Sequence, residues 1–226
     1  MLLPVTMLLI AATACESAPR SKSFAAGAPT ALVVLAAPVE GSENKDVLRR
    51  VDLSANRFIG DPIKIGVSTY GAIMALTAGS NQINVGASDR TVALAIQDLP
   101  PGDYALVEYT RTTGSSNYGL AIGACRNEMA PVFSVAAGNI AILRVDDIAI
   151  QQVGGGKARL RPPSEAPTDE SVLAQFEKAR VDYPGIVGAA RMLQPVALIR
   201  WEKAPSNFFE SRLCGEPATF ERIGPK

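Results

Sequence analysis

Three cysteines, at positions 15, 125 and 214, are the strongest nucleophiles of the chain, and no histidine accompanies them. A thiol or hydroxyl attacks efficiently when a neighbouring base takes its proton, and imidazole is the usual base. Its absence removes Ser-His and Cys-His catalysis, imidazole acid–base work and most zinc sites together. Lysine offers a substitute base, and Ser42-Glu43-Asn44-Lys45 is the single Ser-x-x-Lys of the chain. Where that spacing is catalytic it opens a helix and is joined by Ser-Asp-Asn and Lys-Thr-Gly elements. Here it sits in a polar stretch, the nearest approach to the former is Ser88-Asp89-Arg90, and there is no Lys-Thr-Gly. It reads as a solvated turn.

Other motifs fail on spacing. Gly154-Gly155-Gly156-Lys157 suggests a phosphate loop, which needs a further Gly at position 151 and a Ser or Thr at 158. The chain has Gln151 and Ala158 there, so a flexible connector is expected. Asp146-Asp147 would need to face one cation together, but adjacent strand residues point to opposite faces. A pair of carboxylates for glycoside chemistry is defined by spatial separation, and nothing distinguishes one pair among 22 acids. Tyr70, Tyr109, Tyr118 and Trp201 are the candidates for stacking on a sugar. Tyr118, in the polar 114–119 loop, is the one least easily explained as core and is the possible ligand contact. No catalytic residue, cofactor or metal is expected.

Lys+Arg and Asp+Glu both number 22 over 226 residues, giving zero formal charge. Such a chain has no electrostatic grip on a phosphate backbone, and nucleic acid is not expected as a partner. A hydrophobic content of 47% against 19% charged excludes wholesale disorder.

Residues 1–14, MLLPVTMLLIAATA, carry no charged side chain. A helix of that length rises about 20 Å, short of the roughly 30 Å hydrocarbon core, but it suits a secretory h-region ending in small residues. Ala12-Thr13-Ala14-Cys15 resembles the lipobox of bacterial lipoproteins, with Ala12 where that pattern usually has Leu. The resemblance implies cleavage before Cys15 and acylation of its thiol and new amine, and more than one acyl chain gives stable anchoring. Because Glu16 rather than Asp follows, it also implies the outer membrane, facing the periplasm. Residues 15–29 then read as a disordered tether rich in Ala, Ser, Pro and Gly. The fourteen residues after Cys15 would average about 20 Å and reach at most about 50 Å.

From Thr30 the pattern becomes that of short strands. Ala31 to Val39 is a continuous apolar run, fit for a strand buried on both faces. Ile63-Ile65-Val67 and Val92-Leu94-Ile96 alternate, and Asp103–Arg111, Val132–Val135 and Ile140–Val145 add three more runs. Gly60-Asp61-Pro62, Gly79-Ser80-Asn81 and Pro100-Pro101-Gly102-Asp103 are among the turn signals between them. The spacing predicts a mostly β fold: an antiparallel β-sandwich body over 30–152, with no parallel α/β sheet. A linker over 153–167 follows. In 168–226, Thr168 caps a helix carrying Val172, Leu173, Phe176, Ala179 and Arg180 on one face and ending before Pro184. Ala197, Ile199 and Trp201 form a late strand. Helix, strand and C-terminal segment are expected to pack on the body, having too little apolar surface to fold alone.

Leu99-Pro100-Pro101-Gly102-Asp103-Tyr104-Ala105-Leu106 and Phe133-Ser134-Val135-Ala136-Ala137-Gly138-Asn139 resemble segments of envelope lipoproteins that have an immunoglobulin- or transthyretin-like sandwich of unknown function. With Cys15 taken for lipid, Cys125 and Cys214 read as a disulfide in an oxidising compartment, two buried free thiols being the alternative. The expectation is a lipid-anchored, non-catalytic module that binds an envelope protein or glycan. A carboxylate-based hydrolase of envelope polysaccharide and a purely structural assembly lipoprotein are the alternatives.

Overall fold

The computed structural model describes residues 23–38, 43–68, 82–83, 92–113, 120–125, 130–145, 149–153, 157–161, 168–200 and 219–223. They form fourteen strands and one helix: β1 (Ala31–Pro38), β2 (Glu43–Asp52), β3 (Arg57–Ser68), β4 (Gln82–Ile83), β5 (Val92–Leu99), β6 (Gly102–Thr113), β7 (Leu120–Cys125), β8 (Ala130–Val135), β9 (Ile140–Arg144), β10 (Ala149–Val153), β11 (Lys157–Arg161), α1 (Asp169–Arg180), β12 (Ala190–Met192), β13 (Pro195–Arg200) and β14 (Thr219–Arg222). The fold is mostly β. A five-stranded sheet runs β12-β9-β1-β5-β4, and a seven-stranded sheet runs β14-β13-β8-β6-β2-β3 with β7 also paired to β6. β10 and β11 pair with each other as a hairpin.

Alternation decides which core each side chain joins. From β1, Ala31, Val33 and Leu35 enter a cluster with Leu48, Leu106, Phe133 and Val135 of the seven-stranded sheet. Leu32, Val34 and Ala36 point the other way and meet Val172, Phe176 and Ala179 of α1. This is why β1 reads as an unbroken apolar run: both its faces are buried. A third cluster, with Val51, Val107, Val132 and Ile199, occupies the other face of the seven-stranded sheet.

The helix begins where its capping chemistry sets it. The Thr168 side chain accepts from Ser171 N at 3.2 Å, and Asp169 and Glu170 occupy the first turn. Arg144 at the end of β9 reaches Asp169 at 2.6 Å, which ties the helix start to the sheet beneath it.

Several details depart from the sequence reading. Pairing is not antiparallel throughout: β1 runs parallel to β9, and β9 parallel to β12. No tight turn joins these strands, so nothing forces them antiparallel, and this sheet has the covered faces that parallel pairs require. Gly60-Asp61-Pro62 is not a turn between strands but a bulge inside β3, where the register against β2 shifts. Gly60 takes φ 70 there, and Pro62 is tolerated because β3 is the sheet edge. Glu43, Asn44 and Lys45, read as part of a turn, open β2. Lys157–Arg161, placed in the linker, is strand β11.

The tether is also shorter than expected. Phe24 is only 4% exposed and lies in the same cluster as Phe176. Its N–H donates to the Gly185 carbonyl at 2.8 Å, and its carbonyl accepts from Val187 N at 2.8 Å. One aromatic in an otherwise small and polar stretch is enough to dock it.

Between β5 and β6 the chain passes from one sheet to the other through Pro100 and Pro101. The Tyr104 hydroxyl donates back to the Pro100 carbonyl at 2.9 Å, and Arg50 donates to the Pro101 carbonyl at 3.0 Å. Burial pushes the Tyr104 phenol above its ordinary value, so it stays a neutral donor. Tyr104→Phe is expected to lower stability by about 1 kcal/mol, read as a lower urea midpoint with unchanged slope. The unfolded state of the parent ionises this phenol first as pH rises, so part of the parent's alkaline destabilisation disappears in the variant.

Candidate functional site

Most residues singled out from sequence lie outside the described residues: Cys15, Cys214, Tyr118, Tyr70, Trp201, Asp146 and Asp147. Cys125 ends β7, with its backbone opposite Glu108 of β6. Tyr109 is buried in β6, so it packs rather than stacks on a ligand. Among the described residues no group of three or more Cys, Asp or Glu side chains is placed to hold a metal ion. No described helix is long and apolar enough to cross a membrane.

Several described acids have structural partners: Asp169 pairs with Arg144, Glu177 with Arg180 and Glu221 with Arg200. Asp52 accepts from Ser54 Oγ at 2.6 Å, Ser54 N at 3.0 Å and Ala55 N at 3.0 Å, closing the β2–β3 turn. The Ser54 hydroxyl, then the Ala55 amide, hold its carboxyl below the ordinary value. Asn56, at φ 50, completes that turn.

A surface depression among the described residues lies at the C-terminal end of α1. Glu177, Arg180, Val181, Pro184, Ile186, Val187 and Gly188 line an open depression of about 360 Å³. Its shape follows from the way the helix stops. Val181 caps it, Tyr183 N donates to the Arg180 carbonyl at 2.9 Å, and Ile186 N donates to the Tyr183 carbonyl at 2.9 Å. Arg180 then spans the loop: one end of its guanidinium donates to the Gly188 carbonyl, and the other pairs with Glu177. The buried Ile186 and the docked Phe24 hold the loop from beneath.

The chemistry this depression can support is limited. Its single carboxylate, Glu177, is ion-paired, so the two-acid arrangement of a glycosidase is absent there. Its arginine is already engaged with backbone and carboxylate. What it does present to solvent is apolar: Val181 is 76% exposed and Val187 60%. The chain matches no family model, no curated protein and no solved structure.

Sequence reading overlooked this surface because Val181 directly follows the helix and Val187 shares a two-residue apolar step with Ile186 between Gly185 and Gly188. The available signal was Phe24, the one aromatic of the expected tether.

Proposed function

We propose that this chain is a lipid-anchored module of the cell envelope, acylated at Cys15, held on the periplasmic side of the outer membrane and non-catalytic. Its body is a sandwich of the immunoglobulin or transthyretin kind, braced by a Cys125–Cys214 disulfide, and it binds an envelope protein or glycan.

The observation carrying the reading is the join of two features: an apolar leader with small residues before Cys15, and, nine residues on, Phe24 docked on the body. Such a spacing suits a domain meant to stay beside its anchor. The sandwich is supported by the strand order. β1, β5 and β4 succeed one another as B, E and D do in an immunoglobulin sheet, while β3, β2, β6 and β8 follow C′, C, F and G. The Tyr104 bond to Pro100 matches the tyrosine corner at the E–F crossing of such folds. β9 departs from that pattern, lying parallel to β1 at the place of strand A. At edge strand β3, Pro62 and the bulge disfavour the addition of a partner's strand, so recognition through side chains is the better reading.

Growth with labelled palmitate tests the anchor. The wild-type protein is expected to carry label and to sediment with membranes, while Cys15→Ala carries none and stays in the soluble fraction. An unlabelled, freely soluble wild-type protein refutes the reading.

A further inference from the structure

Residues 16–22 are all that separates Cys15 from the docked segment beginning at Ser23. From Cys15 to Phe24 the chain reaches at most about 30 Å. Phe24 is hydrogen-bonded to the loop after α1 through both its N–H and its carbonyl. An anchor at Cys15 therefore holds that loop, of all the described body, on the shortest lead to the bilayer. Among the described residues three large apolar side chains are exposed, and two of them, Val181 and Val187, sit on this loop. The third, Ile223, follows edge strand β14.

We propose that the face formed by Val181, Pro184 and Val187 rests in the interfacial layer of the membrane that holds the acylated Cys15. The protein then touches the bilayer twice, once through its acyl chains and once through this loop. The inference rests on the acylation proposed above.

The charges on the face indicate how it binds. Glu177 and Asp182 balance Lys178 and Arg180, and Arg180 is engaged by Glu177 and the Gly188 carbonyl. Attraction to anionic headgroups is therefore not the source of the contact, which should persist on neutral lipid. Two valines would not hold a free protein on a membrane. With the anchor in place the contact becomes intramolecular, at an effective concentration in the millimolar range, and a small apolar face suffices. The contact fixes the orientation of the body and leaves its opposite end free to meet a partner.

The test uses acylated protein on vesicles of phosphatidylcholine alone. Val187→Trp in a Trp201→Phe background places one indole on the face, and lipid brominated near the top of its acyl chains is the quencher. Sedimentation reads the anchor, and quenching reads the face. The expected result is full sedimentation with at least twofold quenching. Adding Val181→Asp should remove most of the quenching and leave sedimentation unchanged. Sedimentation with an unquenched indole overturns this proposal and leaves the anchor standing. Failure to sediment overturns both. If the indole in the Cys15→Ala protein becomes shielded with rising concentration and no vesicles, the face belongs to a second copy, which also overturns it. Hydrogen exchange on the unsubstituted acylated protein gives an independent reading. Amides at 181–188 should exchange more slowly on vesicles than in the Cys15→Ala protein, and equal rates count against the proposal.

Discussion

Phe176→Ala should destabilise the protein by about 3–5 kcal/mol, the range for deleting a fully buried phenyl ring. The ring is completely shielded and belongs to a cluster built from α1, β1, β5, β9 and the docked Phe24. Two aliphatic rows of the five-stranded sheet, Leu32 and Val34 on β1 with Ile140 and Ile142 on β9, lie in that cluster. The neighbours on β1, β5 and β9 are fixed by strand pairing, so the space refills only in part. The Arg180 guanidinium, 5.8 Å from the ring centroid, loses its aromatic partner as well. Domains of this size have total stabilities of about 5–15 kcal/mol, so about a fifth or more of the margin disappears. The melting temperature should fall by about 6–20 °C, followed by circular dichroism. Leu173→Ala, at a partly buried position on the same helix, is the internal comparison and should have a smaller effect. A loss below about 1 kcal/mol for Phe176→Ala would mean that α1 does not complete the core of the five-stranded sheet.

The parts of this arrangement that were legible in sequence share one property: their side-chain pattern is set locally. β1 and β9 are apolar on both faces because both are covered, and α1 announces itself through Thr168 and the spacing of Val172, Phe176 and Ala179. β2 was not legible. ENKDVLRRVD carries six charged residues, and its core members are only Val47 and Val51 on one face and Leu48 on the other. Alternation is kept, but so few apolar positions mark it among the charges that a period-two reading finds no strand, even though β2 lies between β3 and β6. The parallel direction of β9 was likewise invisible, because it depends on a pairing with β1 more than 100 residues away. β11 was hidden by its setting: Ala158 and Leu160 alternate with charges, but the glycines and prolines around them suggest a linker. The candidate surface fared worst. Nothing in Val181 or Val187 marks them until the docking of Phe24 places their loop beside the N-terminal segment.

Gly138→Ala is expected to have the second large effect, and its outcome bears on that docking. Gly138 has φ 73, and a Cβ built on it would lie 2.0 Å from the Ala26 carbonyl oxygen and 2.9 Å from the carbonyl carbon. These are backbone atoms, so no side chain can swing aside. Either the 136–139 turn moves or the segment carrying Ala26 lifts. The turn is tightly held: Gly138 N donates to the Thr30 carbonyl at 2.8 Å and Leu32 N to the Asn139 carbonyl at 2.9 Å, at the start of the parallel β1–β9 pairing. The segment is held mainly by Phe24, so the segment should yield. Left-handed strain of about 1–2 kcal/mol, together with about 2 kcal/mol from partial exposure of Phe24, gives an expected loss of about 3–4 kcal/mol. Gly60→Ala separates the two contributions, since Gly60 has nearly the same φ of 70 but nothing within 4 Å of its added Cβ. It should show the strain alone. In Gly138→Ala the Phe24 and Val187 amides should lose their exchange protection while β1 and β9 keep theirs, and protease should cut within 23–30. Release of that segment also lengthens the chain between Cys15 and the first docked residue. Under the acylation proposed above, the loop after α1 would then no longer be held close to the lipid. If protection is lost first in β1 and β9 instead, the turn is the weaker partner and the docked segment is an integral part of the body's core.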